Sequence, residues 1–362
     1  MTIDLSYRDI HGNKREAQET ANCYVINKPG SYCFPLVYGN SIKDGISNKK
    51  AYTKYHKDQK DFYDYKYNII NRPEITYKVK DAKIVCSDSN DFLAIQNIHI
   101  NKNYVFFDVT QISKDGANYI LGIYDEEDKV IWSWHLWLWG DELRDIKIDN
   151  DIVVLNINLA SKKSDNNIIN AFYQWGRKDP LFINTKIIKN SGRKALSSFN
   201  NISDSIKMPD TFIISDGLSI DSKLYSKIVI QKGINYWNAN YPNPDPRLYT
   251  EIVEKTIYDP CPCRYHVPRT NINKGLINGI NYKNGIIFNN ALFLYTGCLF
   301  DGIFKENDIT GNYWCSSPYG YNLDTGILGS TYISINKDKL NYSGVRNIRN
   351  DQFGASVRPQ KE

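Results

Sequence analysis

The densest concentration of reactive side chains in this 362-residue sequence is Lys255-Thr-Ile-Tyr-Asp-Pro-Cys-Pro-Cys-Arg-Tyr-His-Val-Pro268. Cys261, Cys263 and His266 offer two thiolates and an imidazole, groups that zinc accepts. A structural zinc needs four ligands, and no second Cys/His pair stands at suitable spacing nearby. Cys298 and Cys315 would have to fold in from afar. Buried free thiols are the commoner outcome, so no metal and no cofactor is expected. Calcium would need carboxylate and Asn ligands clustered in one loop, yet Trp314 is followed by Cys315-Ser316. Neither Gly-x-Ser-x-Gly, a phosphate loop nor His-Glu-x-x-His occurs. The chain is not expected to be an enzyme.

Other candidates divide into core and surface. Trp175 reads as core, and Arg177 as a guanidinium tying down a loop through a carboxylate or carbonyls. Trp132, Trp134, Trp137 and Trp139 stand at strand spacing, where tryptophans pack; His135 among them reads as a satisfied core histidine. Binding chemistry is expected late in the chain, at Tyr319, Tyr321, Tyr332, Asn341, Tyr342, Arg346, Asn347, Arg349 and Asn350. These sit among Gly, Ser and Asn residues. There Tyr gives contact area at low entropic cost and Asn adapts its hydrogen bonds, as in antibody paratopes.

The elements that must position these residues are mostly strands. Hydrophobic residues make up 41% and aromatics 13%, with 27 Tyr against 2 Met. That composition favours strands and turns over helices and excludes a disordered chain. Each proline of the 255–268 stretch fixes its own φ and pushes its predecessor toward extended geometry. The stretch is therefore a stiff connector joining two elements at a set angle. Residues 1–19 read as a polar arm, extended or docked on a neighbour. Residues 20–150 read as a β-sandwich, from turn signals such as Pro29-Gly30 and Asp125-Glu-Glu-Asp128 and from alternation in the runs between them. In Val130-Ile-Trp-Ser-Trp-His-Leu-Trp-Leu-Trp139 both faces are apolar, which predicts a strand that is central or covered by a second layer. Residues 152–160 read as a strand. Beyond them come single helical turns at 203–207 and 248–255, then short strands at 286–288, 291–295, 312–317, 331–335 and 353–358. The expected fold is mainly β with minor α.

Charge excludes one class of partner. The net charge is +5, with Lys and Arg scattered among 40 acidic residues. No basic block marks a nucleic-acid surface. No run approaches the roughly 20 apolar residues of a membrane helix, and residues 1–18 lack the apolar core of a signal peptide. Seven thinly spread cysteines are not a disulfide framework.

Several ordered motifs carry a resemblance. Phe172-Tyr-Gln-Trp-Gly-Arg-Lys-Asp-Pro180 comes first, with Trp175, Gly176 and Arg177. Thr256-Ile-Tyr-Asp-Pro-Cys-Pro262 follows, with Asp259, Pro260, Cys261 and Pro262, then Pro268. Trp314 with Ser316-Ser317 comes next, and Gly354-Ala-Ser-Val-Arg358-Pro closes the set. Together they resemble the Fibrobacter succinogenes major paralogous domain, a C-type-lectin-like domain common in Bacteroidales surface proteins. Ala21-Asn-Cys-Tyr-Val-Ile26, Phe34-Pro-Leu-Val-Tyr-Gly-Asn40 and Ile131-Trp-Ser-Trp-His-Leu-Trp137 resemble the β-domain that often precedes it. The resemblance implies a C-type-lectin-like α+β domain over residues 151–362 and a non-enzymatic, surface-binding role. Three departures stand out. Arg264 replaces the usual Gly before the aromatic Tyr265, Asn156 and Asn158 stand where Asp-Arg-Asn is usual, and residues 1–18 do not read as the leader that such exported proteins typically carry.

The expected protein is a virion decoration or attachment component of a Bacteroidales-infecting, crAss-like phage. It would be a homo-oligomer that contacts other virion proteins through arm and sandwich and binds a host receptor or glycan. The rival is a secreted Bacteroidales cell-surface or fimbria-associated adhesin whose leader is lacking from this sequence. A third reading, drawn from formylglycine-generating enzymes of the broader fold, would use Cys298 and Cys315.

Overall fold

The computed structural model describes residues 1–53, 61–89, 91, 93–164, 167–182, 186–190, 202–215, 236–239, 253–272, 279–282, 284–300, 302–305, 309–322, 327–337 and 353–362. The protein is mainly β. The first half contributes β1 (Ile3–Asp4), β2 (Cys23–Ile26), β3 (Gly30–Pro35), a small hairpin of β4 (Ile42–Lys43) and β5 (Ile46–Ser47), then β6 (Asp81–Ser87) and β7 (Ile95–Asn101). They are followed by β8 (Tyr104–Val109), β9 (Ala117–Tyr124) and β10 (Val130–Leu138). Two four-stranded sheets result, ordered β1-β3-β8-β7 and β2-β10-β9-β6.

Local chemistry sets the turns. Lys102 and Asn103 both take left-handed φ, 46° and 62°, in the two-residue turn from β7 to β8, whose backbone twist matches that of the strands. At the β9–β10 turn the Asp125 carboxylate accepts the N–H groups of Glu127 (3.0 Å) and Lys129 (2.9 Å). The sheets share an aromatic core. The Phe34 ring from one sheet lies 4.8 Å from Trp134 and 5.1 Å from Tyr24 of the other.

Strand β10 has both faces covered, as its composition predicts. Trp132, Trp134, Leu136 and Leu138 face the core between the sheets. Trp137 and Trp139 face a second core built with Trp175, Trp237 and Trp314 from the later half. The first core in turn receives Ile257, Tyr258 and Cys263 from the connector. The two halves thus meet through apolar burial rather than a linker. Residue 150, where the sequence reading divides the chain, falls in the turn between paired strands Asp145–Asp149 and Ile152–Leu155. These lie in a sheet with Gln360–Lys361 and Tyr265–His266.

The arm differs from its expectation. Residues 1–19 fold onto their own chain: β1 pairs in parallel with β3 (Ile3↔Tyr32, Asp4↔Cys33), and Leu5 and Ile10 are buried. Ile3 pairs along the edge of β3, which would otherwise be open, while Leu5 packs in the first core and Ile10 in the second. The strand read over 152–160 ends at Leu155, and Ala160 takes a left-handed φ of 58°. A helix forms at Ile202–Lys207. Residues 253–255 of the second expected helical turn are not helical; the remainder of that turn lies outside the described residues.

Candidate functional site

The connector is the hub of the molecule. The Asn22 amide donates to Ile257 O (2.6 Å) and Asp259 O (2.8 Å). The Asn40 amide donates to Thr256 O (2.7 Å) and Asp259 O (3.0 Å). The prolines leave these carbonyls without strand partners, and two side chains from the first half supply donors instead. Asp259 itself is fully buried; its carboxylate accepts the N–H of Cys261 at 2.8 Å and of Val267 at 2.9 Å. The buried Lys255 ammonium donates to Cys261 O (2.8 Å) and Pro262 O (2.7 Å). Pro260 and Pro262 hold this path, and Pro268 O accepts the Ser316 N–H at 2.7 Å.

Two backbone details explain residue choices here. A Cβ on Gly39 would stand 2.0 Å from Asn22 Oδ1, so only glycine lets the Asn22 amide reach the connector. Gly39→Ala is expected to lower unfolding stability by about 2–4 kcal/mol by displacing that amide. An unchanged Tm in thermal unfolding would show that its bonds are dispensable. Arg264 has φ +64°, the left-handed region that glycine occupies freely. Its guanidinium meets Glu19 and Asp44, partners that a glycine would lack.

The remaining motif residues are also structural. Trp175 is buried and donates to Cys315 O at 3.2 Å. Gly176, at φ +84°, lies where a Cβ would be 3.0 Å from the Tyr236 side chain. Arg177 donates to Gln174 Oε1 (2.6 Å), Thr211 O (2.6 Å) and Met208 O (2.9 Å), tying a loop down through carbonyls. Trp314 donates to Tyr173 O at 2.5 Å. Gly354 pairs with both Gln174 and Leu299. Arg358, fully buried, donates to Leu155 O at 2.9 Å and to Leu292 O, and lies over the Phe293 ring.

Sequence reasoning assigned no role to Asn22, Asn40, Lys255, Ser133, Lys178 or Asp179. The last three form a buried cluster. Lys178 Nζ lies 2.8 Å from both Asp179 carboxylate oxygens and from Ser133 O, above the Trp132 ring. Ser133 Oγ donates to Asp179 Oδ1 at 2.8 Å. The cluster joins β10 to the later half.

The expected binding residues fare differently. Tyr332 is a correction: it is 6% exposed and packs against Trp314, its cross-strand partner, and Phe353. It lies on the hairpin of strands Thr310–Asn322 and Ile327–Asn336, whose base is wedged between two cores. Trp314 and Tyr332 face one core, and Tyr313, Cys315, Ile333 and Ile335 the other. Beyond Ser316 the backbones at Tyr319 and Tyr321 pair with Gly329 and Leu328. Gly297 and Ser356 bridge the base at Gly311 and Tyr313, but beyond Ser316 no third strand joins this ribbon among the described residues. Asn341, Tyr342, Arg346, Asn347, Arg349 and Asn350 lie outside the described residues.

Burial governs the titratable groups. The Cys298 and Cys315 thiols are both pushed up by burial, opposite to what a nucleophilic thiolate needs. Cys261 is pushed well up by burial, and Cys263 to about 11. Among the described residues no group of three or more His, Cys, Asp or Glu is placed to hold a metal. His135 Nε2 bonds Asn118 Oδ1 at 2.8 Å and His266 Nδ1 lies 2.8 Å from Val267 O. Burial lowers these imidazoles to about 3 and about 4, and raises Asp259 to about 6.

These shifts set a pH dependence. The histidines' folded values lie below their unfolded value of about 6.5. Stability present above that value is lost as pH falls, about 5 kcal/mol for the pair at pH 4.5. Asp259's folded value lies above its unfolded value, so its contribution is present in acid and lost as pH rises through about 6; it offsets about 2 kcal/mol at pH 4.5. Urea denaturation is therefore expected to show about 3 kcal/mol less stability at pH 4.5 than at pH 7. Equal or greater stability in acid would contradict the neutral, buried imidazoles.

Compared with family models, curated proteins and solved structures, the chain matches none.

Proposed function

We propose that this chain is a non-catalytic display protein, serving as a decoration or attachment component of a phage virion and binding a host-surface receptor or glycan. One observation carries the reading. The hairpin Thr310–Asn322/Ile327–Asn336 is locked between two cores at its base, while its outer part carries Tyr319 and Tyr321 in a ribbon paired only with itself among the described residues. Such a rigid stem suits presentation of aromatic and Asn-rich loops to a partner. The motif order that resembles a C-type-lectin-like domain supports the same reading, and the raised thiols of half-buried Cys298 and buried Cys315 weigh against the cysteine-dependent enzyme.

The test is binding of the purified protein to host cells and to arrayed surface glycans. Wild type is compared with Tyr319→Ala/Tyr321→Ala and with Tyr342→Ala/Arg346→Ala/Arg349→Ala. Saturable binding weakened at least tenfold in either variant at unchanged Tm supports the proposal. No binding by folded wild type to any host surface sinks it.

A further inference from the structure

Ser133, Lys178 and Asp179 bring an alcohol, an amine and a carboxylate into mutual contact, and all three residues are buried. Ser133 Oγ donates to Asp179 Oδ1 at 2.8 Å. Lys178 Nζ lies 2.8 Å from each Asp179 carboxylate oxygen and 2.5 Å from Ser133 Oγ. Two donors thus converge on Oδ1, and two protons are what a carboxylate oxygen needs to depart as water. The surroundings hold the groups in place. Ser133 stands inside β10, in register with Gly122 of β9. Lys178 Nζ also donates to Ser133 O and lies 4.6 Å from the centre of the Trp132 ring. Arg177, the residue before it, is anchored on Thr211 O and Met208 O.

We propose that Ser133 and Asp179 condense slowly after folding into an intramolecular ester that fastens β10 covalently to the later half of the chain, with Lys178 relaying the protons. Lys178 passes one proton to Asp179 Oδ1 and takes the Ser133 hydroxyl proton as Oγ bonds to Asp179 Cγ. It then passes a second proton to Oδ1 as the Cγ–Oδ1 bond breaks and water leaves. The net change is one hydroxyl, one carboxylate and one ammonium converted to an ester, a neutral amine and water. No oxidant or cofactor takes part. In dilute water such a condensation runs backwards, but groups fixed in contact reach effective concentrations on the order of 10⁵–10⁸ M. Exclusion of bulk water removes the reagent for the reverse step. The product also replaces a buried ion pair by neutral groups, which relieves the desolvation of both charges. Burial already pulls the Lys178 ammonium down to about 8, so the neutral amine suits its site. Until it condenses, the chain keeps the Lys178–Asp179 ion pair.

The full-length folded protein is kept at neutral pH and its intact mass is followed over days. The expected result is a growing species lighter than the sequence mass by one water, absent in Ser133→Ala and in wild type held unfolded in urea. Proteolysis should give a branched peptide joining the Ser133 and Asp179 segments. Hydroxylamine, which cleaves esters, should split it in two and leave a hydroxamate on Asp179. Lys178→Met, with its fold checked by circular dichroism, should form the link roughly a hundredfold more slowly or not at all; a wild-type rate in that folded variant overturns the relay. Folded wild type that retains its full mass overturns the proposal. So does a loss of water that persists in Ser133→Ala or maps to a succinimide at an Asp-Gly pair.

Discussion

Asp259→Ala is expected to destabilise the protein, because it leaves two buried N–H groups unsatisfied at a gross cost of about 2–5 kcal/mol. Those groups belong to Cys261 and Val267, at 2.8 and 2.9 Å from the two carboxylate oxygens. The prolines around them prevent the backbone from rearranging into a strand or helix that would satisfy them. A competing effect runs the other way, because burial already makes the ionised carboxylate costly and raises it to about 6. Relief of that cost is worth at most about 3 kcal/mol at neutral pH. The net loss is therefore expected to be smallest at pH 7 and about 1 kcal/mol larger at pH 5, where wild-type Asp259 is protonated in the folded state but still ionised in the unfolded chain, so that about half of the relief remains. Asp259→Asn, which keeps one acceptor, should fall between the two. Urea denaturation of the three proteins at both pH values checks this. An alanine variant as stable as wild type at pH 5 would show that the carboxylate does not organise the connector.

Lys178→Met is expected to lower stability by about 3–5 kcal/mol, because it leaves a buried carboxylate without its cation. The side chains of Lys178 and Asp179 are 2% and 4% exposed. Ser133 Oγ would be the remaining described donor to Asp179. The double variant Lys178→Met/Asp179→Leu removes both charges at similar volume and should recover most of the loss, since well-packed apolar replacements of buried pairs are often neutral or better. The double-mutant cycle then gives a coupling energy of several kcal/mol. Equal losses in the single and double variants would mean that packing around Trp132, not the charge pair, decides stability there. The cluster connects β10 to the later half, so the cycle also reports how firmly the two halves are fastened.

Much of this architecture is written locally. Period-two alternation along Val130–Leu138 assigns Trp132 and Trp134 to one face and Trp137 to the other, because successive strand side chains point oppositely. The prolines of the connector and the Asp125 turn act through their own φ and through bonds to near neighbours. Arg177 could be read as a loop tie from its length and fork of donors, although which carbonyls it meets, Thr211 and Met208, 34 and 31 residues on, is not written locally.

What the tertiary structure decided is which distant groups meet. Asn22 and Asn40 stand in the motifs that carried the resemblance, but nothing local shows that their amides serve carbonyls more than 200 residues away. The arm's polar composition concealed that Ile3 pairs at a sheet edge and that Leu5 and Ile10 are buried in the two cores. Tyr332 falls in the strand expected at 331–335, but nothing local says which way its ring points; its cross-strand partner Trp314 and the Phe353 ring turn it inward. The reason is common to all three. Backbone restriction and alternation depend on nearest neighbours and can be read along the chain. The partner that satisfies a buried polar group, or covers an apolar one, depends on long-range juxtaposition that the sequence does not order.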